Sequence, residues 1–156
     1  MEDISLHILD VVENSVAAGA RSIEIAIIEN ENEGRLELVI SDDGKGMNEA
    51  LLSKVLDPFV TTRTTRRVGL GLSLLAQAAR ETGGDIEVES ETGGGTTVKA
   101  RFMLDHIDLK PLGDVTKTME ALVAGNPAVD FRLQYRCGDV EEVFDSGAGS
   151  SAAPPA

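Results

Sequence analysis

The sequence predicts an α+β protein, a two-layer α/β sandwich with helices on one face of a mostly antiparallel sheet. Three observations predict it. Several short stretches alternate apolar and polar residues, as strands with one buried face do. Other stretches repeat apolar residues at helical spacing. The order along the chain is helix, two strands, short helix, loop, helix, two strands, which places helices against a sheet built from hairpins.

ISLHILDVVENSVAA reads as the first helix, because Ile4, Ile8, Val11 and Val12 recur at helical spacing and Ser15 continues their face. Asp3 suits the N-cap, and Gly19 suits a left-handed C-terminal closure. SIEIAII and RLELVIS alternate as strands around the turn NENEG, so they form an antiparallel hairpin over the helix. Residues 48–56 suggest a short helix that Pro58 stops, and residues 59–68, rich in Thr and Arg, read as a mobile loop. LGLSLLAQAARET is a helix with Leu72, Leu75, Ala76 and Ala79 on one side. DIEVESE and TTVKARFML are two further strands joined by glycines. Residues 112–125 then suggest a helix, VDFRLQYR a strand, and Glu141–Phe144 a short last strand.

The 156 residues suffice for one domain with a real core, and 42% of them are hydrophobic. The net charge of −13 speaks against nucleic acid or an anionic membrane as partner, since both would be repelled. No apolar run reaches membrane-spanning length, the first ten residues lack the basic flank of a signal peptide, and Cys137 is the lone cysteine. The expected location is cytoplasmic. The small, Gly- and Pro-rich stretch from Ser146 reads as a disordered tail.

Three places carry candidate chemistry. On the first helix Asp10 and Asn14 share a face, while Glu13 is rotated about one hundred degrees from Asn14. An amide oxygen and a carboxylate so placed hold a hydrated magnesium ion, or simply form the polar edge of an amphipathic helix. DDGKGM follows an apolar strand. A carboxylate at a strand end accepts from an exocyclic amine, and nearby glycines let the backbone approach a flat ring. An ordinary polar turn has the same look. In VGLGLSLL, Gly69 and Gly71 open a helix, whose free N–H groups suit phosphate. Arg63, Arg66 and Arg67 lie just upstream, and no Asp or Glu occurs from Pro58 to Arg80 in a chain whose acids outnumber its bases nearly two to one. A basic loop leading into a Gly-opened helix suits a polyphosphate better than it suits a solvated loop. No G-K-[ST] follows the glycines, so this is not a Walker loop.

With these motifs in this order, the chain resembles the GHKL superfamily, which joins DNA gyrase, chaperone ATPases, sensor histidine kinases and mismatch-repair ATPases. LDVVENSVAAGARSIEI resembles the N box in its mismatch-repair form, and SDDGKGM the first glycine box. LDPFVTTR resembles the F box of histidine kinases, and VGLGLSLLAQAARETGGDIEVESETGGGTTVKARF their second glycine box and closing strands. The resemblance implies the Bergerat fold over residues 1–104, with a C-terminal α-β extension over 105–145 and the tail over 146–156. It implies that ATP and magnesium are bound. Asn14 would hold magnesium, and Asp42 the adenine amino group. Gly44, Gly46 and Met47 would shape the adenine pocket, with Thr96 helping through water. Gly69, Leu70, Gly71 and Leu72 would form the phosphate side of a flexible lid, joined by Phe59, Thr62 and Arg63.

Where the chaperone and mismatch-repair branches carry a Glu to activate water, this chain has Asp10, while Glu13 resembles the acidic position of kinase N boxes. Either carboxylate is a candidate base. The N box begins within ten residues of Met1, so a stand-alone domain without a phospho-accepting hairpin is expected, with His7 and His106 as ordinary histidines. DHIDLKPLGD adds a looser likeness to small ATP-binding proteins of hydrogenase systems. The expected function is an ATP-binding module of histidine-kinase type that phosphorylates or regulates a protein partner in trans. A noncatalytic ATP sensor and a slow ATPase are the alternatives.

Overall fold

The computed structural model describes residues 4–30, 33–46, 75–103, 115–137 and 140–145. Helix α1 spans Ile4–Ala17, and strands β1 (Ser22–Asn30) and β2 (Arg35–Asp42) follow it as an antiparallel hairpin. Residues 75–81 are helical and are called α2. Strands β3 (Asp85–Glu91) and β4 (Gly95–Met103) form a second hairpin. Helix α3 (Val115–Gly125) leads to β5 (Asp130–Cys137) and β6 (Val140–Asp145). The six strands make one sheet in the order β3-β4-β2-β1-β5-β6. Every neighbouring pair is antiparallel except β1 and β5, which run parallel.

Strand alternation puts the buried side chains on one face. Ile23, Ile25 and Ile27 of β1 lie in register with Asp42, Ile40 and Leu38 of β2. Leu36, Leu38 and Ile40 in turn face Phe102, Ala100 and Val98 of β4. These residues form one core with Ile8, Val11 and Val12 of α1, Leu75, Ala78 and Ala79 of α2, Met119 and Leu122 of α3, and Phe131 and Leu133 of β5. The helices therefore cover one side of the sheet, which is the predicted sandwich. The other side is polar. There Arg101 meets Asp85 at 2.9 Å, Glu87 at 3.4 Å and Glu37 at 3.5 Å across three strands. Such pairs, open to water and screened by it, contribute little. A buried aliphatic or aromatic core side chain contributes about 1.5–3 kcal/mol. The core, not the outer ion pairs, holds the layers together.

The end of α1 matters for everything that follows. Gly19 adopts φ +83°, its N–H donates to Val16 O at 2.9 Å, and Ala20 N–H donates to Ser15 O at 3.1 Å. This paired closure is a Schellman motif, and it fixes the last turn of the helix. α2 ends on buried Thr82, whose hydroxyl donates to Ala79 O and accepts the N–H of Met103, tying that helix to the end of β4. Among the described residues no helix is long and apolar enough to cross a membrane.

Candidate functional site

Asp42 is the last residue of β2, an inner strand, and it lies on the helix-facing side. Its register partner on β4 is Thr96, whose own partner on β3 is Ser90. The hydroxyls of Ser90 and Thr96 are 2.8 Å apart. Three polar side chains thus form a row across the end of the sheet where the apolar core stops.

The carboxylate of Asp42 is held by two donors. Gly44 N–H donates to Oδ1 at 2.8 Å, closing an Asx turn within the loop. Ser15 Oγ–H of α1 donates to Oδ2 at 2.6 Å. Each carboxylate oxygen keeps further acceptor capacity. The carboxylate is half-buried, so a charge-assisted bond to it is strong.

α1 supplies the polar edge. Asp10 and Asn14 are half-buried on neighbouring positions of that edge, whereas Glu13 is exposed. The Asn14 amide nitrogen is buried and has no hydrogen-bond partner among the described residues. An orphaned buried donor costs about 1–3 kcal/mol and points to a group that would complete it.

The loop after Asp42 is clamped from two sides. Lys45 N–H donates to Ala18 O at 3.0 Å, and Gly93 N–H of the β3–β4 turn donates to Lys45 O at 2.6 Å. Gly46 sits at φ +73° against that turn. A Cβ there would lie 1.9 Å from Glu91 O. Sequence reasoning assigned this glycine to the approach of a flat ring, and the structure adds that it lets two backbones meet.

The two adjacent acids have separate tasks. Asp43 Oδ1 accepts the N–H groups of Arg21 at 2.8 Å and Ser22 at 3.0 Å, pinning the α1–β1 connection. These backbone donors, Arg21 first, hold its carboxyl below the ordinary value of 3.8. A depressed carboxylate stabilises the fold fully above its ordinary value and loses that contribution as pH falls through the lower folded value. The stability advantage of wild type over Asp43→Asn is therefore expected to be constant near neutrality and to shrink below about pH 4. Urea denaturation at pH 7 and pH 3 reads it. An advantage that grows in acid would contradict the assignment.

Of the site residues expected from sequence, Asp42, Gly44 and Thr96 come together at the sheet end, Gly46 abuts the β3–β4 turn beside them, and Asn14 directly precedes the Ser15 that bonds Asp42. Asp10 lies one helical turn before Asn14, and Glu13 points to solvent. Met47, Phe59, Thr62, Arg63, Gly69, Leu70, Gly71 and Leu72 lie outside the described residues. Ser15 was not singled out for chemistry, although a hydroxyl on an apolar helical stripe is a signal, since a buried hydroxyl needs a partner. Ser90 and Asp43 are further additions. Ser90 carried no cue in the sequence beyond alternation.

The sandwich thus carries a fixed carboxylate at an inner strand end, bonded to the first helix through Ser15. The chain belongs to the family described as "Histidine kinase-, DNA gyrase B-, and HSP90-like ATPase", which matches residues 2–106. Among curated relatives it is 32% identical over 99 residues to the histidine protein kinase DivJ of Caulobacter vibrioides, covering 61% of this chain and 17% of the kinase. It is 33% identical to the tetrathionate sensor histidine kinase TtrS of Salmonella typhimurium, covering 60% and 16%. It is 34% identical to the sensor protein SrrB of Staphylococcus aureus, covering 62% and 18%. The match thus spans about one sixth of each relative's length. The ADP complex of the Aquifex aeolicus MutL ATPase domain superposes with a TM-score of 0.57 at 19% identity, covering 93% of this chain and 63% of that one. The N-terminal domain of a DNA repair protein superposes with a TM-score of 0.58 at 16% identity, covering 94% and 53%. The fold likeness therefore extends past the family match into α3, β5 and β6.

Proposed function

We propose that this chain is an ATP-binding module of histidine-kinase type that phosphorylates or regulates a protein partner in trans. The observation that carries the reading is the Asp42 carboxylate, fixed by Ser15 and Gly44 and flanked by Thr96. An anionic acceptor at this place suits the exocyclic amine of adenine. Guanine sets a carbonyl there, and two acceptors would face each other with no proton between them.

Asn14 fits a magnesium ion held mainly by phosphate oxygens and water. Its amide oxygen would be the protein contact, and its orphaned nitrogen would donate to a phosphate oxygen or a water. Magnesium supplies charge neutralisation on the triphosphate. Thr96 would act on the adenine through water. Asp10 shares the partly buried edge with Asn14, so it is better placed than exposed Glu13 to orient a nucleophile. Gly69 and Gly71, with Phe59, Thr62 and Arg63, are assigned to the phosphate side by their motifs. His7 is buried at 4% exposure and is not open to a phosphoryl group from solvent, which supports an acceptor on another chain. The C-terminal α-β segment offers an acidic edge strand, VEEVFD, for partner contact. The hydrogenase-linked likeness names one kind of partner system.

Incubation with γ-labelled ATP, alone and with cell extract, tests the proposal. Labelling of a second protein that requires this chain and is lost in Asp42→Asn is the expected result. Tight ATP binding with no labelled partner would replace it with the sensor reading. Rapid hydrolysis by the chain alone, abolished by Asp10→Ala, would make it a hydrolase.

A further inference from the structure

We propose that Ser15 is a positioning residue that sets the preference of Asp42 for an amine-bearing purine. The proposal rests on the adenine-site reading above and names a determinant of its selectivity. Ser15 is 4% exposed, so its hydroxyl proton must be satisfied inside the protein, and it is donated to Oδ2 of Asp42 at 2.6 Å.

The backbone around this hydroxyl is fixed. Ser15 O accepts the N–H groups of Ala18 and Ala20 in the helix closure, both at 3.1 Å. Three residues on, Ala18 O accepts Lys45 N–H from the loop that carries Asp42. Asp43 of the same loop also accepts the N–H groups of Arg21 and Ser22 just past the helix, so helix end and loop are joined at two points and the hydroxyl stays beside the carboxylate.

The consequence is chemical. The terminal torsion of an Asp side chain is soft, and a single donor leaves the carboxylate plane free to turn. With Gly44 on one oxygen and Ser15 on the other, the plane is set before ligand arrives. A purine amine then meets an acceptor that needs no reorganisation, the general route by which preorganisation raises affinity. Without the Ser15 hydroxyl, the acceptor turns away part of the time. Contacts to the ring face and the phosphates remain. Selectivity for the amine should fall while general nucleotide binding persists.

The test compares calorimetric affinities for ATP and for purine riboside triphosphate, which carries hydrogen in place of the amine. Wild type, Ser15→Ala, Ser15→Cys and Ser15→Thr are measured as full chains, each first shown to be folded by urea denaturation. Wild type is expected to prefer ATP. Ser15→Ala should lose about tenfold of that preference, the low end of the range for a hydrogen bond to a charged group. Ser15→Cys, close in size but a weak donor, should behave like the alanine variant and stands in for it if that variant does not fold. Ser15→Thr keeps the donor and should keep the preference. A structural role alone would weaken both nucleotides equally and leave their ratio unchanged in every variant, which overturns the proposal. A wild type that does not distinguish the two nucleotides overturns the Asp42 assignment itself, a separate failure.

Discussion

Asp42→Asn is expected to reduce ATP affinity on the order of a hundredfold while leaving the protein folded, a loss of about 3 kcal/mol that matches a charge-assisted hydrogen bond. The side chain serves three donors in the bound state: Gly44 N–H, Ser15 Oγ–H and the adenine amine. Asn offers one oxygen. If that oxygen keeps Gly44, the amide nitrogen faces Ser15, whose hydroxyl can rotate and accept instead. The protein thus adapts, and stability should change by no more than about 1–2 kcal/mol. The ligand amine has no such escape, because it meets a neutral group or another donor. Calorimetry with ATP and GTP reads the effect. The variant should bind both weakly, whereas wild type should bind ATP far better. Equal affinity of wild type for ATP and GTP would remove the base-recognition role from Asp42.

Gly46→Ala is expected to be the most destabilising single-methyl change near the site. Two costs add. An L-residue at φ +73° is strained by about 1–2 kcal/mol. Its Cβ would also lie 1.9 Å from Glu91 O and 2.8 Å from Glu91 C, so the β3–β4 turn must move. Forcing atoms into packed space costs about 1–3 kcal/mol. The sum is about 2–5 kcal/mol, which at about 2–4 °C per kcal/mol lowers Tm by roughly 10 °C. Gly19→Ala separates the two terms. That glycine has φ +83° but nothing within 4 Å of the new Cβ, so only the conformational cost applies. Thermal melts of both variants decide the matter. If Gly46→Ala costs no more than Gly19→Ala, the loop and the turn are not in close contact. Because the Gly46 loop carries Asp42, its displacement should also weaken ATP binding.

Most of the fold was legible because it follows from local rules. The stripe Ile8, Val11, Val12 and the alternations in SIEIAII and RLELVIS set which faces are buried, and burial set the layers. Gly19 announced the helix end for a conformational reason that needs no neighbours. The motifs around Asn14 and Asp42 were legible because chemistry restricts residue types at short spacing. The parallel pairing of β5 with β1 was not, since parallel partners are joined across a long connection and no local signal carries their register. Nor did composition tell Asp42 from Asp43. Both are acids after an apolar strand, and only their direction separates them: one into the helix layer toward Ser15, the other back to the N–H groups of Arg21 and Ser22.

The sequence by itself determined the class of protein, the identity of its layers and the residue types at the site. Helical and strand periods and a few constrained motifs are properties of neighbours along the chain. The tertiary structure alone decided which donors hold the Asp42 carboxylate and that Gly46 must admit a second backbone. Those are contacts between residues as far apart as Ser15 and Asp42 or Gly46 and Glu91. Such contacts depend on how the layers stack, because hydrogen bonds and steric contacts act over a few ångströms in space whatever the distance in sequence.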